Sequence, residues 1–521
     1  MNQRELMEGV SEIDEELLER SERNKEAVNA TKNSGHTGRA NRIRSWRRGG
    51  VIVAAALLLL CVTVIVWKSY HKPDEEGMAE GTQAGETHVL NKYLIAAAKY
   101  PEALKQPISE DFDQNGDGVI TSDEDKAFMQ ADREWNQKNA ELRYVDGYDH
   151  SLGKAKLLEF NAKVMKQFLK ENNHENRLYS PINIYMALGM LAETSEGNTR
   201  KQVLDLLGME KVEDLRTQVK GLWLSVYKDD KMKSVLAASV WLRDDITYNK
   251  ATMDILAQEY YASSFAGKMG SEEYSKAFQS WLNEQTDGIL KEQISGLKLD
   301  PQTVMALATT VCFSAKWSDE FRKENTKQGM FHAAEGDVQR DFMNDSRTGW
   351  YFWGDQFGAI RKEFDGMYGF MLFILPDEGV SVYDLLADEQ VLEYLEKGFD
   401  YENKKGVRIN ASIPKFDVSS DSDLTEDLKK LGITDAFDEN VADFSPVSEE
   451  IENIWISKVQ HGVRVIADEE GVKAAAYTAE LAGGAARPPE EEIDFVLDRP
   501  FLFVISMGDG TPMFVGIVEN P

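Results

Sequence analysis

A chain of 521 residues that is 42% hydrophobic and 29% charged has globular composition, with room for one large domain and extra segments. Its formal net charge of −31 excludes nucleic acid as the main partner, since phosphate binding needs clustered Lys and Arg. The two cysteines, Cys61 in an apolar run and Cys312 in a strand-like stretch, give no basis for an intradomain disulfide. A core this large needs no such staple, so an extracellular location stays open.

The N-terminal stretch "EGVSEIDEELLERSERNKEAV" is highly charged. Val10, Ile13, Leu17 and Leu18 could line one short helix, but a solvated or disordered tail is the expectation for residues 1–48. Next comes "VIVAAALLLLCVTVIVW", Val51 to Trp67, without a charge. At about 1.5 Å per residue it spans roughly 25 Å, enough to cross a bilayer core with help from the flanking glycines. A cleaved signal peptide fits less well, because a long segment precedes the run and no small-x-small site follows it. Arg39, Arg42, Arg44, Arg47 and Arg48 crowd its N-terminal side, against Lys68 and Lys72 on the other. The positive-inside bias then predicts a single-pass signal anchor over 49–68, with the N-terminus cytosolic and everything after it extracellular.

Residues 69–150 read as an acidic stalk. Inside it "DQNGDGVITSDE" matches an EF-hand-like calcium loop, 113–124. Asp113, Asn115 and Asp117 supply side-chain oxygens, Gly118 permits the turn and Val119 offers its carbonyl. Thr121 takes the often water-mediated position and Glu124 can bind through both oxygens. "EDKAFMQADREW" continues as an exit helix, whereas Pro107 leaves little room for an entering one. The competing reading is an acidic linker that happens to fit. A bound Ca²⁺ would stiffen the stalk.

From residue 151 to the C-terminus amphipathic helical patterns alternate with strand runs. "LLEFNAKVMKQFLKE" has helical spacing and "GFMLFILP" reads as a buried strand. One domain, 151–521, is the simplest account. Between the strand-like "IWISKVQHGVRVIADE" and "IDFVLDRPFLFVISM" lies "EEGVKAAAYTAELAGGAARPP", Glu469 to Pro489, rich in alanine and glycine with no helix cap. So long a stretch without structure of its own inside a compact domain indicates a functional loop. The chain shows no G-x-S-x-G, H-E-x-x-H, G-x-G-x-x-G or P-loop motif, and its seven histidines are scattered, so an enzyme is not expected.

This region resembles the serpin family throughout. "LYSPINIYMALGMLAETSEGNTRKQVLDLLG", "FQSWLNEQTDGILKEQI", "CFSAKWSDEFRKENTKQGMF", "MLFILPDEG", "IPKFDVSSDSDLTEDLKKLGITDAFDENVADFSPVS" and "RPFLFVISMGDGTPMFVGIVENP" follow in family order. The resemblance implies an α+β fold with three β-sheets, about nine helices and an exposed reactive-centre loop. It also implies a suicide-substrate inhibitor, forming a covalent acyl complex with a serine protease and then inserting its cleaved loop into the main sheet. No cofactor is implied for inhibition. The hinge would be Glu469, Glu470, Gly471, Val472, Lys473, Ala474, Ala475, Ala476, Tyr477 and Thr478. Family spacing from Gly471 puts the reactive bond at Ala485–Ala486, with Gly484, Ala486 and Arg487 as other candidates for the residue before the cut. Small residues there suit elastase-like or subtilisin-like enzymes.

Period-two alternation would set Val472, Ala474, Ala476 and Thr478 on one face of the inserted strand and Lys473, Ala475, Tyr477 and Ala479 on the other. The small residues share the inward face, as a close-packed interior requires. Glu480 is the misfit, because the alternation turns it inward too; either it lies low in the sheet near solvent or it slows insertion. The resemblance also implies a polar cluster under the sheet at Ser180, Asn183, Thr309 and His461, and places Trp317 near the insertion point. Asn183 stands where serine is usual and Thr309 where asparagine is usual, an apparent exchange of amide and hydroxyl. A non-inhibitory serpin acting as a binding or chaperone module is the alternative, disfavoured by the alanine-rich hinge. A membrane-tethered serpin without disulfides suggests a bacterial surface protein.

Overall fold

The computed structural model describes residues 90–521 apart from 102–103, 105–106, 114–119, 171–173, 230–231, 449, 451–453, 458 and 473–490. Tyr93–Pro521 forms one compact unit. The first elements are β1 (Leu94–Ala96), α1 (Ser122–Arg143), α2 (His150–Phe168), β2 (Arg177–Tyr179), α3 (Pro181–Thr194), α4 (Gly197–Leu207) and α5 (Val212–Val226). They are followed by β3 (Lys228–Asp229), β4 (Lys233–Arg243), α6 (Lys250–Glu259), β5 (Ala262–Gly267), α7 (Glu272–Gln285), α8 (Lys291–Ile294) and β6 (Met305–Lys316). Then come β7 (Lys327–Ala333), β8 (Gly336–Trp353), β9 (Phe357–Glu363), β10 (Gly369–Pro376), α9 (Glu389–Lys397), β11 (Lys404–Pro414) and β12 (Phe416–Asp423). The chain closes with α10 (Thr425–Lys430), β13 (Gln460–Ala467), β14 (Gly471–Val472), β15 (Glu492–Val496), β16 (Phe501–Met507) and β17 (Pro512–Val518).

The main sheet has the order β1-β5-β4-β6-β14-β13-β12, with β3 paired to β4. The second runs β15-β11-β8-β9-β10-β16-β17-β2, with β7 paired to β8. Three sheets were expected and the described residues form two. The reason is β8, which is 18 residues long, and β11, which stays in register with it from Lys404↔Phe352 to Pro414↔Phe342. The two strands run on without a break, so what would be two smaller sheets share one ladder. "GFMLFILP" is β10, buried along its whole length.

α3 lies beneath the main sheet and starts as its sequence directs: Ser180 caps it through a bond from the Asn183 N–H, and Pro181 occupies the first turn, where no N–H is needed. Every residue of α3 except Ala187 is buried, consistent with its continuous apolar sequence. The stretch expected as a stalk is, from Tyr93 onward, part of the compact unit. β1 pairs with β5 at the edge of the main sheet. Tyr100 stacks on Trp223 at 5.6 Å, and Arg143 at the end of α1 donates to the carbonyls of Leu224 at 3.0 Å and Tyr227 at 2.8 Å. Among the described residues no helix is long and apolar enough to cross a membrane; the run Val51–Trp67 lies outside them.

Candidate functional site: a hinge seated at the head of a seam

β14 is two residues long, and among the described residues it is the strand that pairs with both β6 and β13. Gly471 pairs with Lys316 and Val472 with Ala315 on one side, while Val472 pairs with Ala467 on the other. Below this point no ladder joins β6 to β13 among the described residues, although both strands continue. The result is a seam, where β6 and β13 approach each other without a ladder among the described residues. Gly471 is required there: a Cβ would fall 2.2 Å from the Ala315 carbonyl oxygen, which no side chain tolerates. Val472 is buried, so the hinge has its first inward residue already in the sheet.

A compact set of bonds holds the hinge. Asp468 accepts from the N–H groups of Glu470 and Gly471 at 2.9 and 3.2 Å, and its own N–H donates to the Gly471 carbonyl. Trp317 donates through Nε1 to the Asp468 carbonyl at 2.8 Å and through its backbone to that of Glu470. Its ring stacks on Phe364 at 5.2 Å. Glu469 is buried and receives Thr326 Oγ1 at 2.8 Å and the Lys415 ammonium at 2.9 Å. Burial alone would raise its carboxyl, but the bonds from Lys415 and Thr326 outweigh it and hold the group below the ordinary glutamate value. Glu470 pairs with exposed Lys323 at 2.6 Å.

Lys362, which sequence reasoning missed, lies buried under the same corner. It donates to the Asp319 carbonyl at 2.7 Å and sits 4.2 Å from the Phe321 ring centre. Burial, with Arg347 nearby, lowers its ammonium to about 8. Lys415, Thr326 and Lys362 are remote in sequence from the hinge and carry no local motif, so nothing in the chain alone marked them.

Under the sheet the structure brings Ser180 and His461 together. The Ser180 N–H donates to His461 Nε2 at 3.1 Å, which fixes the ring as the neutral tautomer with its proton on Nδ1. His461 is fully enclosed, and burial lowers it to about 4. It is a structural histidine. Thr309 and His461 line one small apolar cavity between α3 and the seam, about 30 Å³ in volume. Asn183 lies beside Ser180, but its side-chain Nδ2 is buried without an acceptor among the described residues, so the amide does not take up the hydroxyl's bonding there.

Lys473, Ala474, Ala475, Ala476, Tyr477, Thr478, Ala485 and Ala486 lie outside the described residues, as do Asn115, Asp117 and Val119 of the calcium loop. Thr121 caps α1, its Oγ1 accepting from the Glu124 N–H, while the Glu124 carboxylate accepts from the Thr121 N–H at 2.8 Å and hydroxyl at 2.7 Å. This reciprocal box starts the predicted exit helix.

The model of the family described as Serpin (serine protease inhibitor) matches residues 155–521. The leukocyte elastase inhibitor of Homo sapiens is 29% identical over 365 residues, covering 68% of this chain and 95% of its own length. An uncharacterised serpin-like protein of Thermococcus kodakarensis is also 29% identical, over 67% of this chain and 82% of its own. Among solved structures, the thermophilic serpin tengpin in its native state superposes with a TM-score of 0.65 at 26% identity, covering 73% of this chain and 96% of tengpin.

Proposed function

The chain belongs to the serpin family, and from that premise we propose that it is a suicide-substrate inhibitor of extracellular serine proteases with elastase-like or subtilisin-like preference. The observation that carries this reading is the seam. Among the described residues β6 and β13 share no ladder and are bridged through Gly471–Val472, which supports parting of these two strands to admit the residues that follow. The protease serine attacks the Ala485 carbonyl, the Ala486 amine leaves, and the acyl-enzyme rides on the loop as it enters between β6 and β13. Insertion completes two ladders at once, and backbone pairing of buried strands is what makes the inserted state the lower one. The small residues from Val472 to Thr478 on the inward face support rapid entry, and the similarity to the leukocyte elastase inhibitor supports the small-residue preference.

The proposal extends to location. The uncharged Val51–Trp67 with five arginines before it supports a single-pass anchor on a bacterial cell surface, N-terminus cytosolic. The ligand spacing of 113–124 supports a Ca²⁺ ion ahead of α1, held by Asp113, Asn115, Asp117, Val119, Thr121 and Glu124.

The test of inhibition mixes the full chain, in detergent micelles, with pancreatic elastase and separately with trypsin. A complex with elastase that survives SDS, and a released peptide beginning at Ala486, are expected. Cleavage of the loop without any complex would sink the inhibitory reading and leave a binding module.

A further inference from the structure

Three consecutive carbonyls of the hinge are held by one short turn that follows β6. Trp317 Nε1 donates to the Asp468 carbonyl at 2.8 Å. The Phe321 N–H donates to that of Glu469 at 2.9 Å, and the Trp317 N–H to that of Glu470 at 3.1 Å. All three donors sit at the two ends of the turn, 317–321. Those ends are buried, whereas Ser318, Asp319 and Glu320 between them are exposed. Whatever sets the position of this turn therefore sets the position of the hinge.

The turn is set from β9, in the second sheet. The Ser318 N–H donates to the Glu363 carbonyl at 3.0 Å, and Trp317 forms an isolated bridge with Phe364. At the turn's midpoint the Lys362 ammonium donates to the Asp319 carbonyl at 2.7 Å. The same Nζ lies 4.2 Å from the centre of the Phe321 ring and 5.7 Å from that of Trp317. One side chain thus holds the middle of the turn and faces both of its buried ends.

Stability gives no reason for a lysine here. Its side chain is 2% exposed, and burying an ammonium is costly unless it is well paired. Asp345 on β8 stands 3.8 Å away, beyond hydrogen-bond reach, and is shared with Arg347 at 3.7 Å. Glu363 pairs with Arg361 at 2.9 Å and Arg347 at 3.4 Å. Asp319 is exposed, so water can serve its carbonyl without the lysine. An apolar side chain of similar length would pack at no such cost. It would not pin the turn.

We propose that Lys362 is the positioning residue of the hinge: from the second sheet it pins the turn 317–321, and the turn holds Asp468, Glu469 and Glu470 in place. In the inhibitory reading, on which its functional consequence rests, Lys362 holds back the release of the hinge that insertion requires.

The test is hydrogen exchange of the full chain in detergent micelles, followed by mass spectrometry on peptides covering 317–321 and 468–472. It is run at pH 7, below the value of about 8 at which Lys362 gives up its proton. The Trp317 and Phe321 amides, both bonded to hinge carbonyls, report the docking directly. Lys362→Met nearly keeps the length and removes the ammonium. It should speed exchange in both peptides by about tenfold to a hundredfold, the range for loss of a charge-assisted bond. Exchange in α3 should not change, and the urea midpoint of unfolding should stay level or rise. Lys362→Arg supplies a permanent cation and should exchange close to the natural rate. Unchanged exchange at the hinge in Lys362→Met overturns the pin, and exchange as fast in Lys362→Arg as in Lys362→Met overturns the part given to its charge. Faster exchange in every peptide together with a lower midpoint makes Lys362 an ordinary support of the fold, which also overturns the proposal. None of these readouts involves a protease or insertion, so the inhibitory reading stands or falls separately, on the elastase complex.

Discussion

His461 shows how one buried side chain ties the protein to a pH range. Its Nε2 accepts the Ser180 N–H at the start of α3, and its proton affinity is held near 4 by burial. In the unfolded chain a histidine titrates near about 6.5. The folded value is the lower one, so the unfolded chain takes up the proton first as the solution is acidified. The contribution of neutral His461 is complete above the unfolded value and is lost as pH falls from there toward 4, at up to about 1.4 kcal/mol per pH unit. Urea unfolding of the intact protein should show that slope, and His461→Gln should flatten it. An unchanged slope in the variant would mean that the acid sensitivity lies in other groups. At the hinge, Glu469 works with the same sign through the opposite charge: its carboxyl is held low, so its pairing with Lys415 is present at neutral pH and lost in acid.

At the scale of elements, the segment from Tyr93 to Arg143 is attached to the main sheet by few but well-placed contacts. β1 adds to β5, the Lys99 N–H donates to the Ala257 carbonyl at 2.9 Å, and Arg143 reaches carbonyl oxygens at the end of α5 and just beyond. Arg143→Ala removes charge-assisted bonds to carbonyls that no helix partner satisfies. A loss of about 1.5–3 kcal/mol is expected, with faster proteolysis between Tyr93 and Arg143 than in the natural chain. Wild-type cleavage rates would show that α1 is held by other contacts. Elements were also the best-read level of the sequence. The apolar run of β10, the capped start of α3 and the exit helix α1 each follow from local pattern. The attachment of β1 did not, because "LIA" is three residues long and its partner lies far along the chain. Nor did the lining of the cavity, whose leucines come from α3, β6 and the α10 region and meet only in the fold.

For the whole molecule, the proposed anchor and calcium loop predict two bulk properties. Expressed in cells, the full chain should stay with the membrane fraction through alkaline extraction, and a chain lacking residues 49–68 should not. Calcium should raise the resistance of the 113–124 region to proteolysis, an effect that Glu124→Gln would weaken; recovery of the full chain in the soluble fraction would remove the anchor from the picture. The main sheet ends on one side at β1, and on the other at β12, eight residues long, with no strand paired beyond it among the described residues. A long free strand is a template on which another chain can crystallise its own backbone. β12 is written "FDVSSDSD", with Asp417 and Asp423 exposed along it. Arg464 already pairs with Asp417, so two copies meeting edge to edge would press together chiefly the Asp423 carboxylates, on molecules that carry a charge of −31 each. Such an edge lets copies crowd together without their sheets fusing into fibres.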